Sequence, residues 1–84
     1  MSRGLGRRQR VVLGIAQAVA AEAPDDPEKW WFRVSDAAPD GIRSTHWLLA
    51  ASRIPAIEYK HGLARLDPES PLGRVYRRVP FGAG

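Results

Sequence analysis

Residues 63–79, Leu-Ala-Arg-Leu-Asp-Pro-Glu-Ser-Pro-Leu-Gly-Arg-Val-Tyr-Arg-Arg-Val, carry the clearest architectural pattern in this 84-residue chain. Val75, Arg77 and Val79 alternate with Arg74, Tyr76 and Arg78, the period of two expected of a strand. Asp67-Pro68-Glu69-Ser70-Pro71-Leu72-Gly73 in front of it consists almost wholly of turn-forming residues. Ala56 to Leu66 supplies a preceding strand through Ile57, Tyr59, Leu63 and Leu66, interrupted by Gly62. The expectation is a C-terminal β-hairpin closed by the loop 67–73.

The preceding stretches read as helices and one short strand. Ser44 or Thr45 opens a helix that runs to Arg53 or Ile54, with Pro55 at its end. Trp47, Leu48, Ala51 and Ile54 form its buried face. Ser35-Asp36 is a natural helix N-cap, and Pro39 and Gly41 keep the helix it opens short. Trp30-Trp31-Phe32-Arg33-Val34 reads as a strand, on which Trp30 and Trp31 cannot both face inward. Pro24 to Lys29 is a loop with two prolines and three acids. Arg7 to Ala23 is an amphipathic helix whose stripe is Val12, Ile15, Ala16, Val19, Ala20 and Ala23, closed by Pro24. These readings divide the chain into a flexible basic arm (1–6), one domain (7–80) and a frayed tail (81–84).

The totals narrow the function classes. The chain holds no cysteine, which excludes disulfide staples and thiolate metal sites. His46 and His61 lack a spaced set of partners for zinc. No serine sits in a nucleophile elbow, and Gly4-Leu5-Gly6-Arg7-Arg8 is too short and too basic to cradle a phosphate. We therefore expect no catalytic residue, metal or cofactor. No apolar run approaches the roughly 20 residues of a membrane span, and the expected location is the cytoplasm. The net charge of +4 favours an anionic partner, nucleic acid before membrane. Its distribution is more informative: cations dominate both ends, around an acidic middle from Glu22 to Asp40.

Taken in order, these elements (helix at Arg7 to Ala23, strand at Trp31 to Val34, helix capped at Ser35, helix within Ile42 to Ile54, hairpin at Leu63 to Val79) resemble the winged helix-turn-helix family of DNA-binding domains. The resemblance implies a small α+β fold of three helices and a C-terminal wing. It implies a double-stranded DNA-binding protein: a small transcriptional regulator, or an excision, replication or partition factor of a phage or plasmid. The helix near 43–54 would enter the major groove, with Arg43, Ser44, Thr45 and His46 at its leading turn and Arg53 further along. Arg65, Arg74 and Arg77 of the wing would meet the backbone or the minor groove, and Arg3, Arg7 and Arg8 an adjacent phosphate. A homodimer or a partner protein would extend so small an interface. The alternative is a protein–protein interaction module on the same scaffold, drawing on the aromatic run Trp30-Trp31-Phe32 and on Leu49 at the exposed side of its helix.

Overall fold

The computed structural model describes residues 6–38 and 54–77, which form a small α+β unit of two helices and a three-stranded antiparallel sheet. The first helix, α1 (Arg7–Glu22), covers almost the expected range. Its N-terminus is capped from within: the Gly6 N–H donates to Oε1 of Gln9 at 2.9 Å, half of a capping box. Val12, Ala16 and Ala20 are its buried residues, one per turn, while Ile15 and Val19 flank them half-buried. These small side chains let the sheet approach the helix closely.

A 3₁₀ turn at Pro27–Lys29, capped by the Asp26 carboxylate accepting from the Glu28 N–H at 3.3 Å, leads into strand β1 (Phe32–Arg33). Only these two residues pair, yet the in-out alternation extends on both sides of them. Trp30 and Val34 are buried, Trp31 and Phe32 half-buried, and Arg33 exposed. Trp30 is the inward tryptophan; it is fully buried and its indole Nε1–H donates to the Ala23 carbonyl at 2.7 Å. A buried indole needs such a partner. That bond ties the start of β1 to the end of α1. The helix expected to open at Ser35-Asp36 is instead a single 3₁₀ turn at Val34–Asp36, beginning one residue earlier. The 44–54 helix and the Trp47 core position fall almost wholly outside the described residues.

The largest departure lies in the 63–79 stretch. The hairpin is formed by β2 (Ile57–Lys60) and β3 (Leu63–Leu66), and closes one element earlier than the alternation of 74–79 implied. Its turn is the two-residue His61-Gly62, both at positive φ (50° and 80°), the signature of the type I′ turn that matches strand twist. Residues 71–77, expected as loop and strand, form a second helix, α2 (Pro71–Arg77). The physical reason is a cap. The Ser70 Oγ accepts from the Gly73 N–H at 2.9 Å, and Pro71 occupies the first helical position, where its missing N–H has no cost. Leu72 and Tyr76, four apart, then pack on the core, a spacing that the short alternation of 74–79 masks. The hairpin is therefore residues 57–66.

The sheet order is β1-β3-β2, all antiparallel, with Phe32 opposite Ala64 and Tyr59 opposite the same residue. One face, carrying Ile57, Ala64 and Leu66, closes over α1 together with Trp30, Val34 and Ile54. Among the described residues no polar or charged residue is buried, and no helix is long and apolar enough to cross a membrane.

Candidate nucleic-acid interface

The outer face of the sheet is the charged one. Directly opposed residues point the same way, so the registers Arg33↔Leu63↔Lys60 and Glu58↔Arg65 place two rows on this face. Trp31 joins the second row, one residue before β1.

The second row is closed on itself. The Arg65 Nε donates to Glu58 Oε1 at 2.8 Å, and NH1 donates to the Pro27 carbonyl at 3.2 Å and lies 3.5 Å from Glu28 Oε2. Its guanidinium carbon stands 4.6 Å from the Trp31 ring centroid, within cation–π range. The side chain keeps only 14% of its exposure. Arg65, expected on the wing as a DNA contact, thus lies at the base of the hairpin and bonds β2 and the 27–29 turn to β3.

The first row is open. Arg33 and Lys60 are exposed, flank the half-buried Leu63, and form no ion pair among the described residues. The exposed His61 follows at the turn. Neither Arg33 nor Lys60 stands out in the sequence, where they lie 27 positions apart. A signal was nonetheless present: His-Gly between two four-residue β-patterned runs is a two-residue hairpin, which brings Lys60 opposite Leu63.

The remaining expected contacts separate into groups. Arg7 and Arg8 are exposed in the first turn of α1, a turn that contains no acid. Cations there oppose the positive end of the helix dipole, a mismatch that a bound anion would relieve. Arg74 and Arg77 stand on α2 instead of a wing strand, and both reach Glu69: Arg74 at 3.7 Å, Arg77 through a short NH1–Oε2 contact. Arg3, Arg43, Ser44, Thr45, His46 and Arg53 lie outside the described residues. No group of three or more metal-ligating side chains occurs among the described residues. Tyr59 faces the core side of the sheet, where burial pushes its hydroxyl pKa up to about 12.

No family model, no curated protein and no solved structure matches this chain.

Proposed function

We propose that this chain is a winged helix-turn-helix domain that binds double-stranded DNA, placing residues 43–54 in the major groove. The observation that carries the reading is the described scaffold: a helix, a short strand, and a hairpin whose second strand pairs with that short strand. In this arrangement 39–53 connect β1 to β2. That segment holds Arg43, His46 and Arg53, and its one acid is Asp40 at its start. The helix-turn-helix and the wing then act together, with Arg43 reading a guanine edge and Ser44 or Thr45 a base or phosphate. The wing is 57–66, with its turn directed at the duplex.

The protein-interaction alternative loses part of its basis. Trp30 is buried and Arg65 packs against Trp31, so the aromatic run is no open patch.

Selection of bound sequences from a random duplex pool, followed by affinity measurement across a salt series, tests the proposal. Binding should weaken steeply with salt. Arg43→Ala should cost about 1–3 kcal/mol on the selected site and relax preference at one base pair. Absence of affinity at low salt, or affinity insensitive to salt, refutes DNA binding.

A further inference from the structure

We infer that the outer face of the sheet is a phosphate-backbone contact formed by Arg33 and Lys60 across Leu63, so that the wing grips the DNA backbone instead of entering the minor groove. The inference rests on the DNA-binding reading above and decides between the two wing placements that reading leaves open.

Three observations carry it. First, Arg33 and Lys60 share one face and one row, each directly opposite Leu63. Two strand spacings separate their backbones by about 10 Å. Second, both are exposed and without ion pairs among the described residues, whereas Arg65 in the neighbouring row is engaged by Glu58, Glu28 and Trp31. The fold neutralises one cation on this face and leaves two. Third, the hairpin turn itself is His61-Gly62, with no arginine to insert.

A pair of cations spread over about 10 Å is too wide to enter as a unit a minor groove about 6 Å across. It suits a ridge of phosphates, which carries one charge per ~3.4 Å of helix axis on each strand. Arg33 belongs to β1, outside the wing, so the contact belongs to the assembled sheet and not to the hairpin alone. Leu63 stands between them, and long cationic side chains lay their stems on such apolar surface while their charged ends stay in water. Phosphate contacts position a protein without reading sequence, and this row should therefore supply affinity that is even across sites.

The test uses Arg33→Gln, Lys60→Gln and the double variant, each checked for folding by circular dichroism and thermal melting. Dissociation constants are measured on a selected duplex and on random duplex between 50 and 200 mM salt. Each substitution should reduce the slope of log affinity against log salt by about 0.9. Over that fourfold range the double variant should lose about 12-fold less affinity than wild type. The losses at low salt should be equal on the two duplexes. Variants that keep the wild-type slope, or that weaken only A·T-rich duplexes, overturn the inference while DNA binding stands. A wild-type protein that binds no duplex at low salt overturns the DNA reading and this inference together.

Discussion

Gly73 offers the sharpest test of the packing around α2. It is buried in the first turn of that helix, and a Cβ built on it would lie 1.9 Å from the Asp67 carbonyl oxygen, 2.7 Å from that carbonyl carbon and 2.8 Å from the Pro68 Cα. All three are backbone atoms, so no side chain can rotate away. The Asp67 carbonyl is held besides, accepting from the Ser70 N–H at 3.0 Å and the Ser70 hydroxyl at 2.6 Å. Asp67 in turn donates its N–H to the Ala56 carbonyl at 2.8 Å. Relief requires a movement of roughly 1 Å between α2 and the 67–70 turn, at the expense of these bonds or of the Leu72 and Tyr76 packing. Overpacking of this kind costs about 1–3 kcal/mol. The better helix propensity of alanine returns about 0.5–1 kcal/mol. Gly73→Ala should therefore destabilise by about 1.3 kcal/mol net, lowering Tm by about 5–10 °C in a domain of this size. Gly14→Ala is the matched control. It is exposed in mid-α1 with nothing within 4 Å of its added Cβ. It should stabilise by about 0.5–1 kcal/mol, or about 2–8 °C. Urea and thermal unfolding of both variants would decide. If Gly73→Ala matches or exceeds wild-type stability, the close approach of α2 to the turn is not as described.

Three further outcomes follow from the sheet. His61→Asn should raise stability by about 0.5 kcal/mol, because asparagine tolerates the positive φ of 50° better, whereas His61→Val should lower it by about 1–2 kcal/mol. Arg65→Met should cost about 1.5 kcal/mol in urea unfolding, and a cycle with Glu58→Gln should show the two residues coupled, since a charged cross-strand bond and the Trp31 contact are lost. Independent effects of those two substitutions would argue against the clamp. The Tyr59 hydroxyl, pushed up to about 12 from 10, keeps its proton in the fold after the unfolded chain has released it. Its contribution is complete below pH 10 and is lost as the pH rises through 12, so Tyr59→Phe should flatten the fall in stability over that window.

Much of the scaffold was legible from elementary patterning. α1 follows from a small-residue stripe ended by Pro24, and the alternation from Trp30 to Val34 required one tryptophan in and one out. Tyr76, by contrast, belongs to two patterns at once. It alternates with Val75 and Arg77 as in a strand, and stands four from Leu72 as in a helix. Over so few residues periodicity cannot separate the two, and the Ser70-Pro71 cap is what tips the balance. The hairpin turn gave only a weak signal, because histidine, unlike asparagine or aspartate, is an uncommon first residue for a type I′ turn. The site was less legible than the fold. A formal charge count treats Arg33, Lys60 and Arg65 alike, and only strand register shows that Arg65 has carboxylates beside it while the other two do not.

The pairing of β1 with β3 joins Phe32 to Ala64 across a gap of more than 30 positions, while β2 and β3 are joined by two residues. The hairpin is thus a local unit, and the long span closes against it. Because the entropy of closing a span grows only logarithmically, doubling its length would cost about 0.6 kcal/mol. Pairing of β2 with β3 can therefore precede the closure of β1 onto β3, and the hairpin is the edge on which the sheet is completed.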